Sequence, residues 1–387
     1  MLSSSVSRTW FRSVLSVSVA LVAAVALINY VVDSYGIHRT DFTNQSQEPN
    51  KNYIKIKYLR DRPTAFDSFI FGSSRVNIID PKKLKKGVFY NMTYSEGVPG
   101  DHLSNIRFML SHGFRIKNLI IGLDDFSSVV DPGQHLYDLL RQPYYAVSGK
   151  SPLTVYGEYY LKLKRFVPSL REYIRFTYLL RPDDPSRMFS YDIYGSGRTL
   201  CRTCDQMIEN DVAKHVRDPK FDKPLHYEGN NLRGSIESLR EIAELARENH
   251  ITLTVFINPI HRTTYLDADL RQFSSFKREL AKITDFYDFS GLNTVTTNNY
   301  YYYETSHYRE MVADMMLRKM FGYPVVPVPR DFGVLVTRAN IEDHLRTLHR
   351  QLRGAPLKHP EKNLLSLRST QSSSVLAATG HHRIAEF

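Results

Sequence analysis

From Ser13 to Val32 the chain is almost wholly apolar. This run of roughly 20 residues is the length a helix needs to cross the hydrocarbon core of a bilayer. A globular domain has little room for such a helix on its surface, so the run sets the topology of everything after it. Arg8 and Arg12 precede it, no Lys or Arg stands before residue 8, and the flank beyond it opens with Asp33. The positive-inside bias therefore predicts a cytoplasmic N-terminus (residues 1–12), a single span (13–32) and a main domain that is periplasmic or extracellular. Ala24-Val25-Ala26 also fits a small-residue cleavage site, so a removed signal peptide is the competing reading. The apolar run continues past that site through Leu27, Ile28, Val31 and Val32, which favours a retained anchor. A buried core helix is the third reading.

Beyond the run, residues 33–60 read as a polar stem and residues 61–325 as an α/β domain. Strands are expected at Phe66–Phe71, Val88–Met92, Leu119–Ile121, Leu253–Ile257 and Phe286–Phe289. Between them lie helical spacings: Leu103, Ile106, Met109 and Leu110 after a cap at Asp101, with Gly113 as the stop; Ile236, Leu239, Ile242, Ala243 and Ala246; Leu270, Phe273 and Leu280; and a last helix from about His307 to Phe321. Strands alternating with helices predict a mainly parallel sheet covered on both faces. In such sheets the ligand site lies beyond the carboxyl ends of the strands. That rule selects Gly72-Ser73-Ser74, the segment after Asn91, and Asp124-Asp125, with Arg75 and Asp125 placed to meet a substrate.

The rhythm breaks between residues 131 and 225. Tyr156, Tyr159, Tyr160, Phe166, Tyr173, Phe176 and Tyr178 are interleaved there with Lys162, Lys164, Arg165, Arg171 and Arg175. An insertion at the strand ends suits a lid or side wall, and rings with basic groups suit a sugar or an anionic polymer; an amphipathic helix packing its rings onto the core explains the same pattern. Residues 326–387 read as an extension with one helix near Ile341–Leu352 and a poorly ordered tail.

A net charge of +11 points to anionic surroundings. The basic residues are scattered and carry no nucleic-acid motif, so a membrane surface or an acidic glycan is expected rather than DNA or RNA. The two cysteines, Cys201 and Cys204, are too few for a structural zinc site and stand in an irregular polar stretch, where a local disulfide is expected outside the cytoplasm. No phosphate-binding glycine loop and no His-Glu-x-x-His occurs, so neither a metal nor a nucleotide cofactor is expected.

Two motifs carry chemistry. Gly72-Ser73-Ser74-Arg75 follows a strong strand directly, which lifts a serine hydroxyl above the sheet edge. Glu304-Thr305-Ser306-His307 sets an acid three residues before a histidine at the expected start of a helix, with Thr305 or Ser306 as its cap. The positive end of that helix would keep the imidazole neutral and able to accept a proton.

Together these blocks resemble the SGNH (GDSL-like) hydrolase superfamily, in particular its single-pass membrane members of envelope-polysaccharide acylation. The likeness covers residues 61–130 and 225–325. It implies a three-layer α/β/α sandwich, Ser74 as nucleophile, His307 as base and Glu304 as its partner. The oxyanion donors it implies are Ser74, Gly97 of Ser95-Glu96-Gly97-Val98-Pro99, and the residue at 124. Two residues depart from the pattern: Asp124 stands where the family has an amide donor, and Glu304 where it has aspartate. An ionised Asp124 accepts hydrogen bonds only and would repel an oxyanion. The function so implied is esterase or O-acyltransferase chemistry on an envelope glycan or acylated polymer, alongside an integral-membrane acyltransferase. The alternative is an inactive binding or assembly subunit of the same fold.

Overall fold

The computed structural model describes residues 4–42, 45, 47–162, 166–181, 184 and 188–353. Among them eight strands form: β1 (Ser68–Phe71), β2 (Phe89–Asn91), β3 (Asn118–Leu123), β4 (Phe189–Tyr191), β5 (Thr199–Cys201), β6 (Thr252–Ile257), β7 (Phe286–Asp288) and β8 (Val334–Val336). Six make one sheet in the order β2-β1-β3-β6-β7-β8, while β4 and β5 pair separately as an antiparallel ribbon. Every ladder of the main sheet is parallel except β7 with β8.

Side chains alternate between the two faces. Phe69, Phe71, Leu119, Ile121, Val255 and Ile257 enter one apolar cluster, and Ile70, Ile120 and Phe256 enter the other. The helices Pro99–Ser111, Leu232–Glu248 and Leu270–Leu280 cover the first face through Ile106, Met109, Leu239, Ile242, Phe273 and Leu280. The helix Glu310–Phe321 covers the second through Val312, Met316 and Leu317. The result is three layers, α/β/α. Burial on both faces is what makes these strands read as continuous apolar runs.

Register then positions the site. Phe71 pairs with Ile121, and Leu123 with Ile257, so the carboxyl ends of β1, β3 and β6 open on one edge. The chain runs from β1 to β2 on one side and then crosses to β3 on the other. The crevice beyond β1 and β3 is thus a topological switch point.

Several boundaries differ from expectation. The supposed stem contains a helix, Lys51–Arg60, whose Tyr53, Ile54, Ile56 and Leu59 are core residues. The helix after β2 begins at Pro99, two residues before Asp101, because proline suits a first helical position that needs no N–H. Gly113, with φ +81°, does follow the end of that helix in the left-handed conformation. The last core helix starts at Glu310 after Arg309, so His307 precedes it and neither Thr305 nor Ser306 caps it. Residues 326–353 pack onto the domain: β8 adds an antiparallel edge strand, and the helix Ile341–Gln351 packs Ile341, Leu345 and Leu348 into the first cluster. The tail beyond residue 353 lies outside the described residues.

At the N-terminus a helix spans Ser4–Val32, and its most apolar window is uncovered by the rest of the chain. It is the one helix among the described residues long and apolar enough to cross a membrane, consistent with a signal anchor or a signal sequence. Asp33 ends it: its carboxylate accepts the backbone N–H groups of Ile37, His38 and Arg39 at 2.8, 3.2 and 3.0 Å.

The C-terminal helix is tied to the sheet by a buried charge cluster. Lys277 Nζ and His344 Nε2 each lie 2.8 Å from Asp288 Oδ2, and Lys277 also donates to Ser290 Oγ at 2.6 Å. Burial alone would raise the Asp288 carboxyl, but Lys277 and then His344 hold it well below the usual range. A group depressed in this way contributes stability above its unfolded pKa, near 4, which is lost only as pH falls further. Asp288→Asn strands a buried ammonium, so denaturant melts at pH 7 should show a loss of about 3–5 kcal/mol.

Candidate active site

The turn after β1 is built for close approach. Gly72 has φ +153°, and a Cβ there would meet Val76 Cγ2 at 2.7 Å and the Gly122 carbonyl oxygen at 3.1 Å. Ser73 then caps a short 3₁₀ helix, Ser74–Ile78, its Oγ accepting the Arg75 N–H at 3.2 Å. Ser74 opens that helix, and its own N–H meets no acceptor among the described residues.

Ser74 and His307, far apart in sequence, meet. His307 Nε2 lies 2.9 Å from Ser74 Oγ, and Glu304 Oε1 is hydrogen-bonded to His307 Nδ1. The Glu304 carboxylate also accepts the Ser306 N–H at 2.6 Å and the His307 N–H at 2.9 Å. Burial would raise this carboxyl, but the histidine and the two backbone donors keep it below its ordinary value. The backbone loop, rather than a helix dipole, therefore fixes the acid and the ring. That loop is pinned in turn: Tyr302 bridges Tyr308, Thr264 donates to the Thr305 carbonyl at 2.9 Å, and Tyr308 OH donates to Asn258 Oδ1 at 2.9 Å.

Arg75 and Asp124 form an ion pair in the protein interior. Arg75 Nη1 lies 2.9 Å from Asp124 Oδ1 and 2.6 Å from Asp125 Oδ1, with the guanidinium 1% exposed. Asn258 Nδ2 donates to the same Asp124 oxygen at 2.9 Å, and Arg75 Nε donates to Ser306 Oγ at 3.3 Å. Asp124 Oδ1 thus acts as an acceptor in a buried pair, while Asp124 Oδ2 has no hydrogen-bond partner among the described residues. Burial raises its carboxyl, while Arg75 works against that shift.

Gly97 also departs from the role its block implies, because its N–H is donated to the Tyr94 carbonyl at 3.3 Å. What requires glycine here is proximity: a Cβ would sit 2.6 Å from the Gly72 carbonyl oxygen and 2.9 Å from His102 Cε1. Of the two expected backbone donors, the Ser74 N–H is the uncommitted one among the described residues. Arg75 lines the cavity with Nη1 and Nε engaged and Nη2 without a hydrogen-bond partner among the described residues, and Asp125 is outside the lining.

The cavity over Ser74 measures about 520 Å³. Its walls include Ser95 and Glu96 of the block after β2, and side chains the sequence did not single out: Glu48 and Lys51 from the supposed stem, and Phe189 and Tyr191 of β4. Lys51 Nζ lies 2.6 Å from Glu48 Oε1, which also accepts Ser95 Oγ at 2.6 Å. The insertion does form a side wall, but through β4, β5 and the bonded pair Cys201–Cys204 rather than through the earlier aromatic run. Within that run Tyr159 is buried in the core, with Tyr156 and Tyr160 packed against it; Lys164, Arg165 and the Phe166 side chain lie outside the described residues. Asn258, which links Asp124 to Tyr308, was also missed, although the strand-end rule applied to β6 would have found it. No group of three or more His, Cys, Asp or Glu side chains is placed to hold a metal among the described residues.

A second network supports the Glu96 loop. His135 Nδ1 lies 2.6 Å from Asp101 Oδ2, and Arg141 Nη2 lies 2.9 Å from Glu96 Oε1. Burial disfavours the charged His135 ring, but Asp101 and Glu96 outweigh it and push its pKa up to about 9.

No protein-family model matches this chain, and no curated protein matches it.

Two outcomes follow from the pairs above. A raised histidine contributes stability in full below its unfolded pKa of 6.5 and loses it as pH rises through about 9. Unfolding free energy should therefore fall between those values in the wild type, and His135→Gln should flatten that part of the pH profile. Arg75→Met leaves two buried carboxylates without their cation, so urea melts should report a loss of about 3–5 kcal/mol.

Proposed function

We propose that this protein carries out serine-dependent acyl-ester chemistry, as an O-acyltransferase or esterase, on a cell-envelope polysaccharide or glycan. The observation that carries the reading is the 2.9 Å contact between Ser74 Oγ and His307 Nε2, with Glu304 on the other ring nitrogen, beside a cavity. In this reading Ser74 Oγ attacks the acyl carbonyl carbon while its proton passes to His307 Nε2. Glu304 holds the Nδ1–H tautomer and stabilises the imidazolium. Collapse of the tetrahedral intermediate breaks the ester bond, and His307 returns the proton to the leaving oxygen. A glycan hydroxyl or water then attacks the acyl-enzyme, giving transfer or hydrolysis. The Ser74 N–H is the oxyanion donor within this scheme.

The same reading makes Ser4–Val32 a retained anchor with a cytoplasmic N-terminus, and so places the glycan on the far side of the membrane. An integral-membrane acyltransferase is the partner that would supply activated acyl groups. The resemblance to SGNH hydrolases supports this through Gly72-Ser73-Ser74 and Glu304-Thr305-Ser306-His307. A second reading, a non-catalytic binding or assembly subunit, is favoured by two facts: Gly97 N–H is committed to Tyr94, and Asp124 to Arg75.

A serine-directed fluorophosphonate separates the two. The enzyme reading expects covalent labelling of Ser74 in the wild type and none in Ser74→Ala. Turnover of an activated ester should fall by about 10³-fold or more in Ser74→Ala and His307→Ala. An unlabelled wild type favours the binding subunit.

A further inference from the structure

The insertion packs against the apolar N-terminal helix. Along its last two turns Val25, Ala26, Ile28 and Asn29 are partly covered, whereas residues 8–24 are exposed. The helices Pro152–Tyr160 and Phe166–Ile174 are in contact with this helix. Asn29 Nδ2 donates to the carbonyls of Tyr160 and Lys162 at 2.7 and 3.2 Å, and the Tyr30 and Tyr160 rings meet at 5.6 Å. A crevice at the helix exit is lined by Val31, Asp33, His38 and Arg39 together with Tyr173 and Thr177.

At 1.5 Å of rise per residue, Val25 lies about 10 Å before the end of the helix at Val32. In a retained span those turns are inside the bilayer, so whatever packs beside them sits at the depth of the head groups and upper acyl chains. The insertion presents matching side chains there. Leu161, Ile174, Tyr178 and Leu179 are 53%, 44%, 72% and 72% exposed, next to exposed Lys162, Arg171 and Arg175. Apolar side chains flanked by basic ones are what an element lying in an anionic interface requires.

We propose that residues 161–162 and 166–181 form a collar around the exit of the anchor, seated in the interfacial layer of an anionic phospholipid bilayer. The collar rests on the reading of Ser4–Val32 as a retained span and is independent of the chemistry at Ser74. It gives the molecule a second, lateral attachment to the membrane and fixes the tilt of the α/β domain above it.

The test uses the full-length protein in nanodiscs of phosphatidylcholine and phosphatidylglycerol, where both leaflets meet solvent. Cys201 and Cys204 are bonded to each other, so single cysteines accept an environment-sensitive maleimide fluorophore. Leu161→Cys and Leu179→Cys report the collar, Leu21→Cys reports the span, and Val325→Cys, at a site 85% exposed, reports water. The expected result is quenching of probes 161 and 179 by shallow spin-labelled lipid, with at least about threefold protection from iodide relative to probe 325. Probes 161 and 179 that iodide reaches as freely as probe 325 overturn the collar. If probe 21 is lipid-buried in that case, the collar alone has failed; if probe 21 is also in water, the anchor reading has failed with it.

Discussion

The site depends on one buried cation. Arg75 stands immediately after Ser74, and its guanidinium ties the turn beyond β1 to Asp124 and Asp125 beyond β3 and to Ser306 of the histidine loop. From Asp124 the contacts continue through Asn258, beyond β6, to the hydroxyl of Tyr308. Tyr308 adjoins His307, whose Nε2 meets Ser74 Oγ. The contacts close into a ring through four separate chain segments, so displacing any one of them alters the distance between serine and histidine. Removing ions from water is costly, and such a pair is retained only where geometry and extra hydrogen bonds offset the cost. Here those hydrogen bonds come from the groups that must be held in register.

The same ring gives the Asp124 carboxyl its partners: one oxygen accepts from both Arg75 and Asn258, and the guanidinium opposes the upward shift that burial imposes on the group. Two backbone N–H groups likewise grip the Glu304 carboxylate and immobilise its side chain.

Much of this was legible in the sequence because parallel strands buried on both faces leave an unmistakable apolar trace. Phe69-Ile70-Phe71 and Leu119-Ile120-Ile121 need no partner to be recognised, and once they are parallel their carboxyl ends bring residues 74 and 124 together. The helix Lys51–Arg60 was not legible, because its apolar positions alternate with lysines that are themselves buried. Lys51 is answered by Glu48 and Lys55 by the Thr93 carbonyl, partners that composition does not reveal. The start of the last core helix was misplaced for a related reason: Arg309, its capping residue, is held by Asp205 and Glu209 from the insertion. Gly97 was assigned a donor role by its motif, and a short local turn bond to Tyr94 took that donor away. In each case the deciding interaction joins residues whose proximity only the folded chain creates.

The segment between the N-terminal helix and β1 changes how the whole molecule is understood. Were it a flexible stem, the height and orientation of the cavity above the end of that helix would fluctuate freely. Instead Asn50 N–H reaches the Tyr35 carbonyl at 2.9 Å, and Asn50 Nδ2 donates to the carbonyls of Leu139 and Gln142 and to Tyr159 OH. Glu48 and Lys51, on either side of that asparagine, are part of the cavity wall. One asparagine therefore couples the exit of the apolar helix, the insertion and the cavity. Ser74 is held relative to the helix by packing and hydrogen bonds rather than by tether length.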